Sequence, residues 1–91
     1  MTYFVYLIVS NLNNNKKISY VGFTNDLNKR IKLHNIGKGA KFTRGKKWNL
    51  VYYKKYDSKS VAMKEEFKLK KNYKLRNKIK LKFNKNLFGK N

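Results

Sequence analysis

Four acidic side chains stand against 24 lysines and arginines in 91 residues, so each carboxylate can be weighed for chemistry. They are Asp26, Asp57, Glu65 and Glu66. Asp26 and Asp57 fall where helices are expected to begin, and a carboxylate there satisfies free N–H groups and complements the helix dipole. Glu65 and Glu66 lie inside a helical pattern. At about 100° per residue, Ala62, Glu66, Leu69 and Tyr73 share one narrow stripe, flanked by Met63 and Phe67. Glu66 is thus expected in the middle of an apolar face, and Glu65 toward its edge. A carboxylate turned inward must meet a cation or hydrogen-bond donors. One of the abundant lysines would serve, and so would a divalent metal ion.

A second set of residues lies earlier in the chain. Arg30 and His34, spaced i and i+4, sit together along the edge of the Leu27–Ile31 stripe. Lysines outnumber arginines 21 to 3, so an arginine here suggests a need for planar, bidentate phosphate contact. The lone histidine, taken alone, reads as a satisfied, partly buried side chain. Beside an arginine and two tyrosines it gains catalytic uses. If the first hairpin turns near Asn13, Tyr6 lies opposite Tyr20 on one face of a sheet. A metal ligand, a phosphate-binding cation and hydroxyls that position or activate water are the parts of phosphodiester hydrolysis. Too few carboxylates exist for a two-metal design. With no cysteine and one histidine, thiolate and multi-histidine metal sites are excluded.

The elements that must position these groups can be read from patterning. Residues 2–9 (TYFVYLIV) and 17–23 (KISYVGF) read as two strands, joined by the polar turn 10–16 into an antiparallel hairpin. Thr24, Asn25 and Asp26 offer N-cap chemistry for a helix from Leu27 to Asn35, which Gly37 and Gly39 end. A basic turn, Lys41 to Lys47, leads to a third strand, Trp48 to Tyr53. Asp57 or Ser58 then starts one long helix reaching Ile79 or beyond. The order predicts a small α/β (α+β) domain over residues 1–80, a three-stranded, mainly antiparallel sheet flanked by helices. Residues 81–91 read as a basic, frayed tail.

The formal charge of +20 points to a polyanion, because the AT-rich codon usage that favours lysine does not explain the missing acids. The charge is spread along the chain, which favours nucleic acid over a membrane surface. Lys38, Lys41, Arg44, Lys70, Lys71, Lys74 and Arg76 are the candidate nucleic-acid contacts, and neutralising about six phosphates predicts a log–log salt slope of about −5. Phe42, Trp48, Tyr52 and Tyr53 are available to stack on unpaired bases, with core packing the leading reading for Trp48 and Tyr52. The longest apolar run, Tyr3 to Val9, is too short to cross a bilayer, and no basic segment precedes it to suggest an export signal. Cytoplasmic, nucleoid-associated or nuclear placement is expected.

In these residues the chain resembles the GIY-YIG endonucleases, in particular their small stand-alone members, relatives of the nuclease domain of the bacterial excision-repair incision protein. FVY at 4–6 and YVG at 20–22 are similar to the two signature tripeptides. YVGFTNDLNKRIKLHNIGKGAKFTRGKKWNLVYY (20–53) and AMKEEFKLKK (62–71) match the rest of the family pattern, and the likeness covers residues 3 to about 79. It implies a metal-dependent endonuclease, acting on DNA by structure or single-strandedness rather than by sequence. Glu66 would bind one Mg²⁺ or Mn²⁺, and Tyr6 would lead as general base, acting on water directly or after deprotonation. A cationic pocket of Arg30, nearby lysines and the bound metal would lower the phenol's ordinary pKa of about 10. Tyr20 and Arg30 would hold water and the scissile phosphate. His34 would fill a position that some relatives give to tyrosine, and Gly22 would allow close approach at the site. Phe4 stands where the name-giving sequence has glycine. Asn72 and Asn77 are both candidates for the family's asparagine, and a protein partner could supply structure specificity. The alternative is a non-catalytic, basic nucleic-acid-binding module, which accounts for the charge but not for an inward Glu66.

Overall fold

The computed structural model describes residues 1–11 and 16–89, with side chains through residue 82. Strand β1 (Tyr3–Asn11) is the hydrophobic centre of the molecule, with every residue from Val5 to Ser10 buried. A run rich in β-branched and aromatic side chains, buried on both faces from Val5 to Ser10, is what a middle strand requires. β2 (Lys17–Thr24) and β3 (Asn49–Tyr56) pair antiparallel on either side of it, giving the order β2-β1-β3. The β1–β3 ladder shifts register between Leu7 and Ile8.

The two faces of β1 enter different cores. Val5 and Leu7 pack with Val21, Ala62 and Leu69, the last two on helix α2 (Lys59–Lys71). Tyr6 and Ile8 pack with Trp48, Tyr20, Leu27 and Ile31 on the face covered by helix α1 (Leu27–Asn35). The sheet thus separates α1 from α2. Any site using both helices must form around an edge or end of the sheet, whose edge strands are β2 and β3.

Helix α1 has the bounds expected from sequence. Asp26 accepts from the Lys29 N–H as its N-cap. At the other end Gly37 adopts φ +81, while its N–H bonds His34 O and Lys38 N–H bonds Leu33 O. This Schellman closure needs a left-handed residue, which glycine supplies without strain. A single 3₁₀ turn, Lys41–Thr43, occupies the basic connection.

Several expectations are corrected. Tyr6 lies opposite Gly22, and Tyr20 opposite Ile8. The hairpin is offset by two residues from a turn centred on Asn13, and residues 12–15 of that turn lie outside the described residues. An offset of two preserves the face, because side chains alternate with period two. The third strand begins at Asn49 and runs to Tyr56. The long helix, capped by Ser58 rather than Asp57, is two helices: α2, and α3 (Tyr73–Gly89). Asn72 divides them, its side chain accepting from the Leu75 N–H to start α3. Tyr73 therefore leaves the Ala62–Glu66–Leu69 stripe and is exposed, as are Met63 and Phe67. The stretch from residue 81 continues on the backbone of α3 as far as Gly89. No described helix is long and apolar enough to cross a membrane.

Candidate active site

Tyr6 leaves the middle strand on the α1 face and leans over its partner Gly22. A Cβ at Gly22 would collide with the Tyr6 hydroxyl and its ring carbon, so only glycine lets the phenol reach toward the β2 edge. There the Tyr6 hydroxyl meets Nε2 of His34 at 2.7 Å. Gly39 plays the same part for the histidine, because a Cβ there would overlap the imidazole ring. Sequence alone marks Gly39 only as a helix stop. Its packing role depends on a loop folding back on α1, which spacing does not reveal.

The direction of these hydrogen bonds can be assigned. Thr43 Oγ1 lies 2.9 Å from the Ala40 carbonyl and 2.9 Å from His34 Nδ1. A carbonyl only accepts, so the single hydroxyl proton of Thr43 goes to Ala40. His34 Nδ1 must then carry a proton and donate it to Thr43. In the neutral ring Nε2 is left as the acceptor, and Tyr6 donates to it. Burial holds His34 neutral by lowering its pKa to about 4, with Arg30 adding in the same sense. Tyr6, His34 and Thr43 have no exposed surface. Nothing in the sequence singles out Thr43.

Burial also governs Tyr6. Desolvation raises its pKa from 10.0 to about 12, against an opposing pull from Arg30 and with smaller raising contributions from Tyr20 and Glu66. The protein's own groups therefore do not supply the expected acidification of the phenol. Removing the phenolate from water outweighs the nearby guanidinium. The causes also bear on proximity, for Arg30, Tyr20 and Glu66 all lie near enough to act on the Tyr6 oxygen.

Arg30 extends, half-buried, from α1 around the end of β2, where it shares a shallow pocket with Tyr3, Phe23, Thr24 and Lys59. Tyr20 is half-buried, meeting His34 edge-on at 5.2 Å and facing a notch with Lys70 and Arg76. Glu66 approaches from α2, on the far side of the sheet. Its side chain is 19% exposed, and its one ion pair among the described residues is a loose 3.7 Å contact with Lys70. Both readings of this carboxylate thus have a physical basis: a lysine neighbours it, but too loosely to satisfy it.

No described cluster of three or more His, Cys, Asp or Glu side chains exists to hold a metal. A lone carboxylate still suits Mg²⁺, which keeps several waters and commonly takes one or two carboxylates together with substrate phosphates. Glu66, with its side chain 19% exposed, is the carboxylate to consider for such a role.

The other expected contacts are dispersed. Lys70 and Arg76 join the notch. Lys71 stands over the exposed ring of Phe67, 4.4 Å from its centroid. Lys38, Lys41 and Arg44 are on the α1–β3 connection, and Lys74 is exposed on α3. Trp48 is core, donating to the Thr43 carbonyl at 2.9 Å. Asn72 serves as a helix cap, and Asn77 is half-buried on α3.

The family model described as the GIY-YIG catalytic domain matches residues 2–80. This chain belongs to the GIY-YIG family. A UPF0213 protein from Oceanobacillus iheyensis is 48% identical over 52 residues, which are 56% of this chain and 60% of that protein. A UPF0213 protein from Streptococcus pyogenes serotype M5 (strain Manfredo) is 50% identical over 56 residues, 60% of this chain and 61% of its own. The chain thus spans about three fifths of the length of the curated relatives it matches. The solution NMR structure of a UPF0213 protein from Bacillus halodurans is 35% identical, covering 90% of this chain and 86% of that one, with a TM-score of 0.45. For this GIY-YIG domain, FVY and YVG correspond to adjacent antiparallel strands whose Tyr6 and Gly22 are direct partners.

Proposed function

We propose that this domain is a divalent-metal-dependent nuclease that hydrolyses phosphodiester bonds in DNA. The observation that carries the reading is the directed, buried line from Tyr6 through His34 and Thr43 to Ala40, which begins beside Arg30. A buried polar line of this kind is costly to build unless it fixes something. Here it orients the Tyr6 oxygen, whose remaining lone pairs are left for Arg30, and so holds a guanidinium ready for phosphate. A plain binding module has no need of such an arrangement.

Of the two phenols, Tyr20 is the one that faces the notch, so the water-handling role passes from Tyr6 to Tyr20. Tyr6 becomes a positioning residue. Glu66 would hold the divalent ion, which supplies charge stabilisation at the phosphate and leaving oxygen. Arg30 binds the scissile phosphate and stabilises the charge that grows on it. As the water oxygen bonds to phosphorus, its proton passes to the Tyr20 oxygen while the Tyr20 proton leaves to solvent. The bond from phosphorus to the leaving oxygen breaks, and that oxygen takes a proton from solvent.

The test is incubation with labelled single-stranded, duplex and branched oligonucleotides in Mg²⁺, Mn²⁺ or EDTA. Metal-dependent cutting by the parent chain that Glu66→Ala removes is the expected result. Binding without cutting on any substrate would overturn it in favour of the basic binding module.

A further inference from the structure

The notch on the β2 edge has a second half that the hydrolytic groups do not use. Phe42 lies nearly parallel to Tyr20, with ring centroids 6.1 Å apart and planes 21° apart. It is 52% exposed, although its neighbour Trp48 is buried. Across the notch stand Lys70 and Arg76, with Ser19 and Val21 between the two walls, and the space measures about 260 Å³. Arg76 donates one N–H to Ser19 Oγ at 3.3 Å, but its Nε is buried without any partner. Among the described residues Lys70 makes one ion pair, its loose contact with Glu66.

Each wall has an unmet need. A half-exposed aromatic ring beside a tryptophan that the fold did bury leaves apolar surface in water. The other wall sets two cations, Lys70 and Arg76, against the open space of the notch. A flat ring joined to a phosphate suits both walls, the ring against Phe42 and the phosphate against the two cations. A base inside a duplex already has both faces stacked, so it has none to offer Phe42. An unpaired base does.

We propose that this notch is a subsite for one unpaired nucleotide next to the scissile phosphate, its base stacked on Phe42 and its phosphate held by Lys70 and Arg76. Only the position next to the scissile phosphate rests on the nuclease reading; binding of the nucleotide does not. Continuity supports that position, since Tyr20 touches His34 on one side and Phe42 on the other. The subsite gives the domain a preference for strands that are single or locally unpaired.

The experiment measures binding of the full chain by fluorescence anisotropy in EDTA, where no metal-dependent cutting occurs. The probes are a short labelled oligothymidylate and an abasic oligomer of equal length, which has the same phosphates and no bases. The parent chain is expected to bind the thymidylate about tenfold more tightly than the abasic strand. Phe42→Ala should lose that preference, and Phe42→Trp should keep it. Arg76→Ala should weaken both probes alike and reduce the salt slope by about 1. Equal affinity of the parent chain for both probes overturns the proposal, and that comparison requires no variant to fold. Retention of the preference by Phe42→Ala also overturns it. A base preference without cutting in Mg²⁺ or Mn²⁺ would leave the subsite standing and remove the hydrolase. Cutting without a base preference would do the reverse.

Discussion

The Tyr6 hydroxyl donates across 2.7 Å to Nε2 of His34, and neither side chain has any surface in contact with solvent. A phenol so placed meets its histidine, with Arg30 near its oxygen, and on the proposed reading it does not meet the substrate. Tyr6→Phe should therefore leave the fold intact but orphan the Nε2 acceptor, lowering stability by about 1–3 kcal/mol. Tyr20→Phe, at the phenol facing the notch, should slow single-turnover cleavage by about 10²- to 10⁴-fold. Denaturant unfolding and oligonucleotide cleavage on both variants decide the assignment. A Tyr6→Phe chain slower than Tyr20→Phe would return the water-handling role to Tyr6.

The tautomer of His34 depends on a hydroxyl nine residues away. Thr43→Val keeps the volume nearly constant but removes the acceptor for the Nδ1 proton, and Thr43→Ser keeps that acceptor. In ¹⁵N NMR of the imidazole, the parent chain and Thr43→Ser should show the proton on Nδ1. In Thr43→Val the Nε2–H form should appear, turning the Tyr6 hydroxyl away and loosening Arg30. Cleavage should fall with that signal and return in Thr43→Ser. An unchanged tautomer in Thr43→Val would show that the Thr43 hydroxyl does not set it.

Much of this arrangement was legible in the sequence, and the illegible part has a physical pattern. The faces of Tyr6 and Tyr20 were readable despite the wrong register, because a two-residue offset leaves strand alternation unchanged. Helix α1 was readable at both ends, since Asp26 and Gly37 carry their own capping chemistry. The break at Asn72 was hidden because Leu69 and Tyr73, four residues apart, continue the helical period of Ala62 and Glu66 across it. The side-chain cap to Leu75 outweighed that period. Thr43 left no signal and Gly39 only that of a helix stop, because their packing role lies in a loop that folds onto a helix face. The reversal at Tyr6 was a matter of balance. Composition shows many cations, but it does not show that the phenol is removed from water.

Two buried titrating groups should shape stability at opposite ends of the pH scale. His34 titrates near 4 in the folded chain, below its ordinary 6.5, so the unfolded chain binds the extra proton between those values. Stability is then fully present above about 6.5 and is lost as pH falls toward 4, by on the order of 2–3 kcal/mol. Tyr6 titrates near 12, above its ordinary 10.0, so the folded chain holds its proton longer. That contribution is present below about 10 and is lost as pH rises toward 12. Thermal unfolding from pH 4 to 11 should show a plateau with both shoulders. His34→Gln should flatten the acid shoulder and Tyr6→Phe the alkaline one. Survival of the acid shoulder in His34→Gln would mean that other groups cause it.

Three glycines near the site should respond differently to alanine, because they are glycine for different reasons. Gly37 needs its left-handed φ of +81, yet nothing lies within 4 Å of a Cβ there. Gly37→Ala should lose about 1–2 kcal/mol of stability to backbone strain while cleavage per folded molecule stays as in the parent. At Gly22 and Gly39 the backbone is ordinary, but a methyl group would enter the space of the Tyr6 hydroxyl and the His34 ring. Overpacking of this kind costs about 1–3 kcal/mol, similar to the strain at Gly37, so stability alone will not separate the variants. Activity will. On the proposed reading, displacing Tyr6 or His34 disturbs the line that orients Arg30, so Gly22→Ala and Gly39→Ala should cut slowly even where they remain folded. Full activity in either would show that the line to Arg30 is not needed for cleavage, leaving Tyr6 and His34 a purely structural role.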